Sequence, residues 1–183
     1  MAYNNAWANH RLLSACLELS DAAFNAPRTG FFPSLAATLN HILIIDWFYV
    51  DALEGGTLGP AAWADEVPFS AVRALHAEQR AVDDRLIAVC NGRTARTLGD
   101  IIKVHREASI QLERYDRLLL HLFQHQTHHR GQAHAMLSAT SVAPPQLDEF
   151  FSESEAPLRS IEFAELGWTE ATIWRTATDP AQS

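Results

Sequence analysis

Residues 118–137 read LLLHLFQHQTHHRGQAHAML. The run holds five of the chain's nine histidines, His121, His125, His128, His129 and His134, inside an otherwise apolar segment. How it folds decides the architecture. Each residue of an α-helix turns about 100°. With His125 as the origin, His129 falls about 40° away, and Leu118, Leu122, Gln132, Ala133 and Met136 fall on the same side. That face is an apolar stripe, so His125 and His129 are expected to point into a helical core. His121 and His128 flank the stripe. His134 lies opposite, near Phe123.

Outward from this segment, Gly and Pro divide the chain at NAPRTGFFPS (25–34), EGGTLGP (54–60) and VAPP (142–145). The intervening stretches carry helical spacing over about 3–20, 34–54, 70–90 and 114–139. Ser34 stands as an N-cap ahead of the second, which closes before Gly55 and Gly56. In DIIKVHREASIQLER the apolar Ile102 and Val104, then Ile110 and Leu112, alternate with polar neighbours. A short hairpin turning at HREAS fits this period of two, and a helix competes because Glu, Arg and Ala favour one. Four long amphipathic helices predict an all-α four-helix bundle in a single domain, 1–183. After Pro145, LDEFFSES and TEATIW read as short helical pieces that pack on the bundle.

The chain has 183 residues, a formal net charge of -8 and 48% apolar residues. One domain with a real core is expected. The acidic balance argues against nucleic acid as a partner, which needs clustered Lys and Arg. ILIIDWFYV is too short to span a bilayer, and MAYNNAWANHRLL lacks the form of a secretory signal. Cys16 and Cys90 are far apart and without CxxC spacing, which fits free thiols in the cytoplasm.

Two histidines four apart stand one turn above the other, so both can reach one metal ion. An isolated HxxxH pair is equally compatible with a polar surface, but apolar flanks raise the cost of leaving two imidazoles unpartnered. His121 and His129 are about 12 Å apart along the axis, too far to share that ion with His125. A third inward histidine, His41, lies on the 34–54 helix with Ala37, Thr38, Ile45, Phe48 and Ala52. Three neutral nitrogens on Zn²⁺ or Ni²⁺ leave open positions, as in a catalytic site. No Glu precedes a His by three residues, which excludes a di-iron carboxylate bundle, and HExxH, GxSxG and P-loop patterns are absent.

AYNNAWANHRLL, LNHILIIDWFY and the HHRGQ core of the long histidine helix occur in the order found in the DinB (damage-inducible) family, which the chain resembles over most of its length. The resemblance implies up-down-down-up connectivity, one divalent metal held by His41, His125 and His129, and a homodimer. It also implies kinship with enzymes that use low-molecular-weight thiols. The functional expectation is a metal-dependent thiol transferase or hydrolase acting on a small electrophile. The alternatives are a non-catalytic, metal-stabilised stress-response or small-molecule binding module, and a metal-free bundle whose histidines bond one another. Gln132 is expected near His129, either donating to a substrate or bonding a ligand. Arg130 is expected off the inner stripe, paired with a carboxylate at a helix interface or dimer surface, and Asp46 well away from His41. Trp7, Trp47 and Phe48 are read as core or interface. The all-round apolar character of the 34–54 helix predicts cover by a partner subunit.

Overall fold

A computed structural model describes residues 1–174. The described residues form two compact units, 1–145 and 146–174. The first holds helices α1 (Ala2–Cys16), α2 (Asp21–Asn25), α3 (Leu35–Glu54), α4 (Val72–Asn91) and α5 (Tyr115–Leu137). Between α4 and α5 lies an antiparallel hairpin of β1 (Ile101–His105) and β2 (Ile110–Arg114).

Specific contacts fix the helix directions. Asn5 meets Asp83 and His10 meets His76, so α1 and α4 run antiparallel. Asp46 meets Gln79 and Glu54 meets Arg85, so α3 and α4 run parallel. Thr38 meets Met136 and His41 meets His125, so α3 and α5 run antiparallel. The order is therefore up-down-down-up. α1 and α3 each pack against both α4 and α5. The parallel pair needs a long return, supplied by residues 55–71 with a 3₁₀ turn at Gly59–Trp63.

The termini follow from local chemistry. The Ser34 hydroxyl accepts the Ala37 N–H at 3.0 Å, satisfying one of the unpaired donors of the first turn of α3. The same helix ends where Gly55 takes φ +85°, a left-handed conformation that costs an L side chain and not glycine. In the hairpin, the Arg106 N–H donates to the Ser109 carbonyl at 2.8 Å, closing the turn where HREAS places it. Register separates its apolar residues. Val104 is buried opposite Gln111, whereas Ile101, Ile110 and Leu112 share the other, exposed face. A strand's side-chain period of two permits only one of these sets to face the core.

Within this chain α3 packs against α2, α4, α5, β1 and the 3₁₀ turn. One expectation is corrected. In the second unit, LDEFFSES forms bends and part of a 3₁₀ turn, while the helices are α6 (Ala156–Leu166) and α7 (Glu170–Ile173). Pro157 explains the shift. Its fixed φ and missing N–H suit the first turn of a helix and start one there. Arg159, 1% exposed, ties this unit together by donating to the Glu149 and Ser152 carbonyls and to the Glu170 carboxylate.

Candidate metal centre

His41 of α3 and His125 and His129 of α5 come together between the two antiparallel helices. One nitrogen from each lies within 4.8 Å of the others, and this group could hold a metal ion. The His41 and His125 Nε2 atoms are 3.0 Å apart. The His125 and His129 ring centroids are 4.4 Å apart, the consequence of a four-residue step along one helix. Among the described residues His125 Nδ1 is buried with no hydrogen-bond partner.

Gln132 fixes the third imidazole. His129 Nδ1–H donates to Gln132 Oε1 at 2.7 Å, which leaves the lone pair on Nε2. The Gln132 amide in turn donates to His128 Nε2 at 3.2 Å. His121 stands farther off, its ring centroid 6.3 Å from that of His125 and edge-on to Tyr49. His134 faces away and donates to the Pro145 carbonyl at 2.9 Å.

The group stays neutral at pH 7. Burial pushes His41 down to about 4, with the nearby His129 adding to the effect. Burial, followed by His129, His41 and the flanking histidines, pushes His125 down to about 3. His129 is lowered as well, chiefly by burial and against the opposing pull of its Gln132 bond. Three neutral imidazoles offer lone pairs without first losing protons, which is what a borderline-soft divalent ion needs. The chemistry of the donor set therefore fits the metal.

Beside this cluster lies a buried polar ring that sequence reading missed. The Asn5 and Asn9 amides of α1 donate to Asp83 of α4 at 3.0 and 3.1 Å. Their oxygens accept from Arg130 of α5. Arg130 also donates to Gln126 Oε1 at 3.5 Å, and the Gln126 amide donates to Asp46 of α3. Gln79 of α4 closes the ring, donating to Asp46 at 2.8 Å and Asp83 at 3.4 Å. All seven side chains are buried, and every long helix contributes. Burial holds Asp46 and Asp83 well above the usual carboxylate range, and proximity to Asp46 raises Asp83 further. Burial lowers Arg130 to about 10, so it remains a cation at pH 7.

This corrects the expectation for Arg130. It lies in the interior and donates to the amide oxygens of Asn5, Asn9 and Gln126. The cause is that α5 packs against both α1 and α3, so its buried arc is wider than one stripe. His125, His129 and Gln126 bond or face α3, while Arg130 reaches α1. Asn5 and Asn9 carried a signal, as two amides four apart among the inward Ala2, Ala6, Leu12 and Leu13. Asp46 does point away from His41, into the ring. Trp7 and Phe48 are core residues, and Trp47 is half-buried against Phe69.

Both cysteines are free. Burial pushes the Cys16 thiol up to about 12, Arg28 opposing, and burial also raises Cys90. Neither is a ready thiolate.

Fold and site together define a four-helix bundle of up-down-down-up type with a three-histidine group between its second and fourth long helices. The DinB family model matches residues 1–165, and the chain belongs to this family. It is 25% identical over 150 residues to Protein DinB of Bacillus subtilis (strain 168), covering 79% of this chain and 86% of that one. A crystal structure of a DinB-like protein from Bacillus cereus ATCC 10987 superposes with a TM-score of 0.61 at 16% identity, over 79% of this chain and 91% of that one. Among the described residues no helix is long and apolar enough to cross a membrane.

Proposed function

We propose that this protein is a metal-dependent enzyme in which His41, His125 and His129 hold one divalent ion, Zn²⁺ or Ni²⁺, and that it transfers a thiol or water to a small electrophile. The observation that carries the reading is the convergence of three imidazole nitrogens within 4.8 Å, with no carboxylate or thiol in the group. Three protein ligands leave coordination positions for a small molecule. A metal in such a site lowers the pKa of the thiol or water it binds.

The chain's own residues have separate parts in this reading. Gln132 Oε1 accepts the hydrogen bond from His129 Nδ1–H and so leaves Nε2 for the ion. Phe32, its ring centroid 4.4 Å from that of His41, excludes water from one side of the cluster. A reacting thiol comes from a low-molecular-weight cosubstrate, because burial keeps Cys16 and Cys90 protonated. A homodimer belongs to the same proposal. Its support is the exposed apolar face of Ile101, Ile110 and Leu112 on the hairpin, and sedimentation at micromolar concentration tests it.

The test of function pairs metal content with turnover. Elemental analysis of wild type and of His41→Ala, His125→Ala and His129→Ala is set beside activity against a panel of electrophiles with several thiols. Each variant is expected to lose the metal and the activity together. Full metal occupancy in all three would refute the site. A loaded protein inert to the whole panel would favour a metal-stabilised, non-catalytic binding module of the stress response.

A further inference from the structure

Beside the histidine cluster lies a cavity of about 480 Å³, a size typical of small-molecule sites. His41 is the one member of the cluster that lines it. The walls are apolar and partly aromatic: Phe32, Trp63, Ile44 and Ile45. Among the described residues the only charged side chain in its lining is Glu66, and no Lys or Arg contributes. A neighbouring cavity of about 460 Å³ has the opposite character, with Arg28 as its charged residue and Gln132 as a second polar group. Phe31, 82% exposed, borders both.

We propose that the Trp63 cavity binds the uncharged apolar part of the substrate, an aromatic ring or a short branched alkyl group, and brings that substrate's polar end to His41. Three features support this class. Aromatic and aliphatic walls recover binding energy only from a ligand that leaves water for them. The Glu66 carboxylate repels an anionic ring substituent, and no cation among the described lining residues compensates. The sole polar group on the helix wall is an imidazole of the candidate metal centre, so a ligand's one polar end has one partner there. The pairing with His41 rests on the metal reading above; the apolar selectivity does not.

Benzyl alcohol and benzoate are suitable probes, since they share a ring and differ in charge. Each is titrated into the full chain, metal-loaded and metal-stripped, while the Ile44 and Ile45 methyl resonances are followed by NMR. Benzyl alcohol is expected to shift both methyls in either form, with benzoate bound at least about tenfold more weakly. Glu66→Gln is expected to narrow that gap. Ala37 lines the same cavity from the first turn of α3, and Ala37→Phe is expected to weaken benzyl alcohol by at least about tenfold. Val67→Trp, at a 40% exposed lining position, fills the cavity from the solvent side and guards against misfolding of the first variant. Unmoved methyls, wild-type binding in both filled variants, or benzoate binding as tightly as the alcohol would each overturn the proposal. A protein that never takes up metal yet shows the expected selectivity would refute the metal reading and leave the pocket standing.

Discussion

Replacing Arg130 by Leu removes the only cation from a ring that also holds two carboxylates, all of them buried. Three donor contacts disappear, to Asn5, Asn9 and Gln126. Each is worth roughly 0.5–3 kcal/mol, with the higher values for charged donors. The amide oxygens left behind lose their partner, and Asp46 and Asp83 lose the opposing charge of Arg130. Stripping one member from a buried ionic group costs about 3–5 kcal/mol, and a new Leu recovers little of that against polar neighbours. For a chain of this size 1 kcal/mol moves Tm by about 2–4 °C, so a drop of about 6–20 °C is expected. The loss also depends on pH. Both carboxylates have folded pKa values raised above those of the unfolded chain, so their contribution is full below about pH 4 and falls as pH rises through the folded values. Without Arg130 those values rise further, so the deficit against wild type is smaller at pH 5 than at pH 8. Thermal or urea unfolding at the two pH values measures both effects. Adding Asp83→Asn keeps an oxygen for the Asn5 and Asn9 amides and should recover part of the loss. A cost under about 1 kcal/mol, the same at both pH values, would refute the account of the ring.

Other outcomes follow from the same geometry. In metal-free protein His41 and His125 titrate at about 4 and about 3 when folded, below their unfolded value near 6.5. The unfolded chain therefore binds protons first and stability falls as pH drops from about 6.5 towards 4; His125→Ala should flatten this slope in denaturant titrations, and an unchanged slope would contradict the burial argument. Gln132→Leu releases the His129 tautomer and should weaken metal binding by about 10–100-fold in a competitive chelator titration, without abolishing it; unaltered affinity would remove the positioning role. Ser34→Ala should cost about 1 kcal/mol in equilibrium unfolding through loss of the α3 cap, and a silent mutation would show that the orphaned Ala37 N–H finds water.

A buried ionic ring of this kind is a poor source of net stability, because desolvation offsets most of the attraction. Its effect is on arrangement. Gln126 and Arg130 adjoin His125 and His129 in the chain, and Asp46 lies on the helix that carries His41. A ring that draws on all four helices thus fixes the mutual register of the two that supply the candidate ligands.

The histidine segment was readable because its information is local. A 3.6-residue period, a four-residue step and an apolar flank together single out His125 and His129, and the caps at Ser34 and Gly55 mark the ends of the helix that carries His41. The hairpin turn was readable for the same reason, through alternation and HREAS. What lay beyond reach depended on partners far away in the chain. Arg130 escapes a helical wheel, which assumes one buried stripe where α5 has two neighbours. Asp83 and Gln79 sit on a helix with no visible chemistry, and they enter the ring only because α4 runs parallel to α3 and antiparallel to α1. The outward face of Ile110 and Leu112 came from strand register, and the apolar cavity from two connecting segments meeting over α3. Periodicity is written into neighbouring residues. The choice of which faces meet is made by burial and hydrogen bonding summed over the whole chain, and no single segment carries it.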